Sequence, residues 1–241
     1  MASSKIVLFD LASKEPCKAW SLNPWKIRLL LNFKGLDYET QWLEYPDIKP
    51  RLKEHFPKDQ ESFTIPTVIM PDGTYIMDSW KIAQALEEQY PSPSLHLDSP
   101  LRQKSLDILS EAQKCLRPIY MVQVPKRLLK EYNYAYWKET REKSAGMPLD
   151  QFEKEQGGEK AYNAAAPHLQ KLTAMLKENN QGPFYMGETV SYTDFIHAGF
   201  LIFFRRIGDD AFQSLLKATG DPDVHLKLLE AVKPWSERDD H

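Results

Sequence analysis

Ala19-Trp-Ser-Leu-Asn-Pro-Trp-Lys-Ile-Arg-Leu-Leu-Leu-Asn-Phe-Lys-Gly35 reads as a helix with an explicit start and stop. Asn23 is placed to cap it, Pro24 suits the first helical position, and Gly35 closes the far end in a left-handed turn. Ser21 then stands two residues ahead of that cap, where free backbone N–H groups and the positive end of the helix dipole point outward. Its hydroxyl either helps to cap the helix or belongs to a site for a negative charge.

Outward from this helix, Ile6-Val-Leu-Phe9 is a short apolar strand, and Tyr38 to Tyr45 alternates in part, as a second strand would. Together they form a strand-helix-strand unit, which is parallel and right-handed by rule. Thr64 to Met70 and Thr74 to Met77 flank Pro71-Asp-Gly73, a turn in which proline presets the first dihedral and glycine tolerates the last. Ser79 then caps a helix running through Ile82, Ala83 and Leu86 to about Tyr90. This order, β-α-β followed by β-β-α, is that of a thioredoxin-like domain. Pro91-Ser-Pro93-Ser and Ser99-Pro100 make a stiff polar linker.

After the linker no strand signal remains. Leu106, Leu109 and Ala112, then Leu128 and Leu129, then Leu169, Leu172, Met175 and Leu176 recur at helical spacing, with Pro118, Pro125, Pro148 and Gly157-Gly158 breaking or kinking the runs. Val190-Ser-Tyr-Thr-Asp-Phe195 pairs a Ser191/Asp194 capping box with a Val190/Phe195 staple, ahead of an apolar run to Phe204 that marks a buried central helix. The expected fold class is α/β plus all-α: a thioredoxin-like domain over 1–92, a linker over 91–100 and an all-helical domain over 101–241.

Composition narrows the function classes. In 241 residues, 42% hydrophobic, Lys plus Arg is 31 and Asp plus Glu is 34, a net charge of −3 with no long block of either sign, which excludes nucleic acid and membrane surfaces as expected partners. The start, Met-Ala-Ser-Ser-Lys, leads straight into the first strand without an apolar leader, and no apolar stretch is long enough to cross a membrane, so a cytoplasmic location is expected. Cys17 and Cys115 form no C-x-x-C pair, and the six histidines at 55, 96, 168, 197, 225 and 241 make no H-x-x-x-H, so no metal site is expected.

The thioredoxin-like first domain, proline-bearing linker and helical second domain resemble the cytosolic glutathione transferases across almost the whole chain. The likeness is sharpest at Ser21 to Arg28, Ile65-Pro66, Asp78-Ser79 and Ser191 to Asp194. In serine-type members a catalytic serine lies seven positions before the arginine of a Trp-basic-aliphatic-Arg sequence. Trp25-Lys26-Ile27-Arg28 puts that serine at Ser21. The resemblance implies that Ser21 donates a hydrogen bond to the sulfur of bound glutathione, with Asn23 either a second donor or the N-cap.

The task is to make a thiolate near neutral pH from a thiol of unperturbed pKa about 8.5. A hydroxyl donor to the charged sulfur supplies roughly 1.5 to 3 kcal/mol and the helix N-terminus roughly 0.3 to 1 more. Together they shift the pKa down by about 1 to 3 units. No G-x-S-x-G elbow is present and no histidine precedes position 55, so Ser21 is a donor and not a nucleophile. Cys17, four residues earlier, is the competing thiol, which would make the protein a thiol transferase.

The resemblance further implies a cis Pro66 that presents the main chain of Ile65 to the cysteinyl backbone, and a Ser79 whose hydroxyl and amide hold the γ-glutamyl carboxylate while Asp78 attracts its ammonium. Lys53, His55 or Lys58 would meet the glycyl carboxylate, with Lys53 carried as the candidate. Ser191 and Asp194 are structural.

Tyr120, Met121, Tyr134 and Trp137 are the candidate walls of an apolar acceptor pocket, with domain or dimer packing as the other reading of the same aromatics. The Trp25 region and Trp42-Leu-Glu-Tyr-Pro-Asp-Ile48 most resemble the etherase-related fungal class. The expectation is a homodimeric transferase that directs glutathione at an aromatic electrophile or aryl ether. The alternatives are a ligand carrier of the same fold and a glutathione-dependent cis–trans isomerase.

Overall fold

The computed structural model describes residues 5–240, so Met1 to Ser4, read above for a leader, and His241 lie outside the described residues. Strand β1 (Ile6–Leu11) pairs in parallel with β2 (Tyr38–Leu43), in register from Ile6 opposite Tyr38 to Leu11 opposite Leu43. Strand β3 (Thr67–Ile69) runs antiparallel to β1, with Leu8 opposite Val68, and β4 (Tyr75–Met77) antiparallel to β3. The sheet order is β2-β1-β3-β4. The turn between β3 and β4 closes as its residues require. Gly73 adopts φ 88° and donates to Met70 O at 2.8 Å, and Asp72 Oδ1 accepts from Thr74 N at 2.9 Å.

Helix α1 (Leu22–Phe33) crosses from β1 to β2 but starts two residues earlier than its local signals suggest. Ser21 occupies the cap, while Asn23 lies inside the first turn, where its Oδ1 accepts from Lys26 Nζ at 2.8 Å. Pro24 is accommodated because the first-turn N–H positions have no partner within the helix. Gly35 takes φ 64° just past the far end, as expected.

Arg28 fastens α1 to the sheet. Fully buried, it meets the equally buried Asp10 at 3.0 Å and donates to Thr40 Oγ1 at 3.0 Å. Burial pushes the Asp10 carboxyl up, and the Arg28 charge opposes that. Removing either partner would leave a buried unpaired charge at a cost of about 3 to 5 kcal/mol.

Irregular turns and the short α2 (Ile48–Leu52) lead from β2 to β3. After β4 comes α3 (Ser79–Gln89), whose cap is Asp78 and not Ser79: Asp78 Oδ1 accepts from Trp80 N at 2.9 Å and Lys81 N at 3.2 Å. A carboxylate bonds two orphan N–H groups at once, which a serine one position later would not reach.

The remaining elements are helices: α4 (Pro100–Arg127), α5 (Tyr134–Ala145), α6 (Leu149–Gln156), α7 (Glu159–Glu178), α8 (Tyr192–Ile207), α9 (Asp209–Ala218), α10 (Pro222–Ala231) and the short α11 (Lys233–Ser236). Pro118 and Pro125 lie inside α4 without ending it, because packing against α7 and α8 along its length outweighs the lost ladder bonds. Gly157-Gly158 does separate α6 from α7, with Gly158 at φ 59°.

Helix α8 is buried nearly all round and lies against α1, α4, α9 and α10. Its capping carboxylate is the most connected group at its start. Asp194 Oδ2 accepts from Ser191 N at 2.8 Å and Ser191 Oγ at 2.7 Å, and Oδ1 accepts from Tyr185 N at 2.9 Å. At Gly199 the helix meets α1 closely enough that a Cβ would sit 3.2 Å from Leu22 O and 3.3 Å from Trp25 Cβ, so the absent side chain sets the distance between the two helices.

Candidate active site

The sheet register gathers three of the sequence-predicted segments at one end. Phe9, near the exit of β1, is opposite Thr67, the first residue of β3, and Thr67 is opposite Met77, the last residue of β4. The loop that leads to Ser21, the approach through Ile65-Pro66, and the step from β4 into Asp78-Ser79 therefore all leave the sheet from that end.

Ser21, half-buried at ψ 135°, makes no side-chain bond to its own helix, although its carbonyl accepts from Trp25 N at 3.1 Å. The capping position is thus filled by a residue whose hydroxyl has no hydrogen-bond partner among the described residues. It sits beside the free N–H groups of the α1 start, the local arrangement that favours an anion.

The Ile65–Pro66 bond is cis. Pro66 O accepts from Asp78 N at 3.4 Å, joining the two segments, while the N–H and C=O of Ile65 have no partner among the described residues. Asp78 itself takes φ 86° and ψ 126°, a conformation costing about 1 to 3 kcal/mol for a residue with a side chain. Behind it, the hydroxyl of Tyr192, on α8, donates to Ser79 O at 3.1 Å and locks the start of α3 to the helical half. Asp78 departs from its expected role in part, since one carboxylate oxygen is engaged in capping α3.

Lys26 adds a group that pattern reading missed. Its ammonium is attached to the first turns of α1, is only 8% exposed, and neighbours Asp78. Burial pulls its pKa down to about 8 although the Asp78 charge pulls the other way. The signal was a second cation, beside Arg28, inside the run Trp25 to Leu31, all of which is buried.

The basic candidates before Ile65 divide. Lys53 and Lys58 share a groove of about 640 Å³ with Lys49, Phe56 and Phe63, whereas His55 stacks flat on Tyr75, ring centroids 3.9 Å apart.

The four acceptor-wall candidates do not form one wall. Met121 is in the core, with its carbonyl accepting from Trp137 Nε1 at 2.8 Å. Trp137 is 4% exposed, packed between Tyr45 at 5.2 Å and the Arg141 guanidinium at 4.1 Å. Tyr120 faces another way, edge-on to Phe203 at 5.8 Å. Adjacent residues on a helix point about 100° apart, and here Tyr120 turns to Phe203 while Met121 turns into the core.

Only Tyr134, with an edge of Trp137, borders an open cleft, about 440 Å³, that Val122, Lys126 and Leu149 also line. The loop ahead of Ser21 touches its rim. Lys14 Nζ donates to Lys126 O at 2.8 Å and lies 6.0 Å over the Tyr134 ring. Cys17 lies on that loop, with its N–H donating to Glu15 Oε2 at 3.3 Å. Among the described residues no group of three or more His, Cys, Asp or Glu side chains could hold a metal ion, and no helix is long and apolar enough to cross a membrane.

Comparison with known proteins bears on the family and the fold. The family model of the glutathione S-transferase N-terminal domain matches residues 20–89 and that of the C-terminal domain matches residues 107–235. The chain is 28% identical to the glutathione S-transferase-like protein ustS of Aspergillus flavus, over 88% of this chain and 85% of that one. Among solved structures it is similar to a glutathione S-transferase of Ceriporiopsis subvermispora in complex with glutathione. That likeness has a TM-score of 0.85 and 29% identity over 99% of this chain and all of that one. It is also similar to the glutathione transferase GSTFuA3 of Phanerochaete chrysosporium, with a TM-score of 0.81 and 27% identity over 97% and 98% of the two chains. A helix start, a cis-proline and a strained acid-serine step converging at one end of a thioredoxin-like sheet, beneath a helical domain, thus have a family: this chain belongs to the glutathione S-transferases.

Proposed function

We propose that the protein is a serine-type transferase that ionises bound glutathione with Ser21 and directs the sulfur at a bulky aromatic electrophile or aryl ether. The observation that carries this reading is the Ser21 hydroxyl, which holds the capping position of α1 yet makes no bond to the helix. Glutathione would lie along the sheet end, its cysteinyl backbone on Ile65, its γ-glutamyl carboxylate on Ser79 and its ammonium on the second oxygen of Asp78. Lys53 or Lys58 would meet its glycyl carboxylate.

Holding thiolate and acceptor together removes much of the entropic part of the barrier. The cleft beside Tyr134 and Trp137, where Val122, Pro125 and Leu149 alternate with Lys126, Lys138, Glu142 and Asp150 and the loop ahead of Ser21 reaches the rim, offers an aromatic acceptor two rings and an apolar floor. A homodimeric, cytoplasmic enzyme of the etherase-related class is the corresponding biological reading. A relative of comparable length solved with glutathione supports the tripeptide as co-substrate.

The test is Ser21→Ala. Turnover with a chloronitrobenzene acceptor should fall by about 10- to 100-fold while glutathione affinity stays within a few-fold, because the lost bond is made chiefly to the thiolate. Equal turnover in variant and parent would remove Ser21 from the mechanism.

A further inference from the structure

The chain returns at its far end to the loop that carries Ser21. After α11, whose Trp235 packs on Phe33 at 4.9 Å and accepts through its carbonyl from Asn32 Nδ2 at 2.6 Å, the chain runs back along α1. Arg238 lies over the Tyr38 ring at 3.8 Å and donates to Tyr38 O. The next residue, Asp239, is 6% exposed. Its main-chain carbonyl accepts from Ala19 N at 2.6 Å, its Oδ1 meets Lys18 Nζ at 3.0 Å, and its Oδ2 takes the Arg206 guanidinium from the last turn of α8.

The loop between β1 and α1 has no regular structure, and its other bonds near Ser21 are internal: Lys18 N to Ser13 Oγ at 3.0 Å and Trp20 Nε1 to Ala12 O at 3.2 Å. Among the described residues, every hydrogen bond that ties residues 17–20 to another part of the fold ends on Asp239.

We propose that Asp239 is a positioning residue for Ser21, a strut between the end of α8 and the two residues before Trp20 that sets where the serine hydroxyl stands relative to the glutathione sulfur. The inference rests on the role given to Ser21 above. Asp239 does not touch glutathione. It bonds Ala19 N with its carbonyl and bridges Lys18 and Arg206 with its carboxylate, so that the segment entering α1 is fixed from the helical domain. A donor to a developing charge works only within about 0.5 Å of its intended place, and a displacement of about 1 Å costs up to about 100-fold in rate. A strut at this point therefore bears on chemistry more than on stability.

The experiment is a titration of the bound thiol in the full chain, by thiolate ultraviolet absorbance at saturating glutathione, with kcat and KM measured in parallel. Asp239→Ala should raise the thiol pKa by about one unit and lower kcat at neutral pH about tenfold, with KM for glutathione changed less than about threefold. Asp239→Glu, which keeps the charge and the main-chain bond, should restore most of both. Lys18→Met breaks only the loop arm and should move the pKa the same way by less, and it serves as the test if Asp239→Ala does not fold.

A lowered melting temperature with the parent's thiol pKa and kcat would overturn the positioning role. Ser21→Ala in the same titration separates the two ideas. If it raises the pKa and neither the Asp239 nor the Lys18 variant does, only the strut is refuted. If Ser21→Ala leaves the pKa unchanged, the serine reading fails and takes the strut with it.

Discussion

Lys26 is a side chain that burial makes costly to the fold and that stands next to Asp78 at the candidate site. A lysine whose pKa is lowered from 10.5 to about 8 by burial binds its proton less tightly when folded. Its contribution to stability is therefore favourable above pH 10.5 and is lost as pH falls through about 8, so at neutral pH the buried ammonium costs up to about 3 kcal/mol. Lys26→Met should accordingly raise the urea midpoint at pH 7. It should also raise KM for glutathione, because a buried cation beside the α1 start and Asp78 is where a carboxylate of the tripeptide gains most. A variant that is both more stable and unimpaired in binding would show that Lys26 has no part in the site.

The resemblance singled out Ser21 by its distance to Arg28, a covalent spacing that folding does not alter, and the structure places it at the cap of α1. Lys26 was not legible, since burial of a cation depends on which face of α1 meets α8.

Among the elements, helix starts decide how the site is built, and local sequence identified their neighbourhood better than their exact residue. Ser21 and Asn23 are comparable caps on propensity alone. Lys26 takes the oxygen of Asn23, and Pro24 tolerates any first-turn position, so the helix begins at Leu22. At α3 the register shifted by one for a similar reason, because Asp78 reaches two N–H groups.

The α8 start was read correctly from Ser191 and Asp194. The structure adds Tyr185 N as a third donor to the same carboxylate, which no local spacing would reveal. Ser191→Ala should therefore cost about 0.5 to 2 kcal/mol, as an ordinary cap does. Asp194→Ala should cost more, since it strands the Ser191 and Tyr185 N–H groups at about 1 to 3 kcal/mol each. Chemical denaturation of the two variants, compared with the parent, orders them. Equal losses would mean that the Tyr185 bond contributes nothing.

Over the whole molecule, the element order and the strand-helix-strand crossover were readable because hydrophobic period and turn residues act locally. The separation of Tyr120 from Met121, the groove shared by Lys53 and Lys58 and the return of the chain to Ala19 were not, because each depends on long-range packing.

Long-range packing also sets the acid limb of stability. His197 and His225 sit ring to ring at 5.1 Å in the helical half, with Tyr185 Oη on one imidazole at 2.7 Å and Thr173 Oγ1 on the other at 2.8 Å. Burial pushes His197 well below the usual imidazole range and His225 down to about 4. Such groups favour the fold above pH 6.5 and lose that contribution as pH falls, about 3 kcal/mol for His225 alone by pH 4. Asp194, raised to about 6 by burial, and Asp10, also raised, work in the opposite sense in this window, so the His225 contribution is read from the difference between parent and variant. Between pH 6.5 and 4.5 the urea midpoint of the parent should therefore decline relative to that of His225→Gln. Parallel profiles in the two proteins would contradict this.

The central claim concerns one proton. The sulfur of glutathione bound at the α1 start, titrated by thiolate absorbance, should ionise about 1 to 3 units below the free tripeptide's thiol, and Ser21→Ala should recover most of that difference. A bound thiol that titrates like the free one would contradict the account.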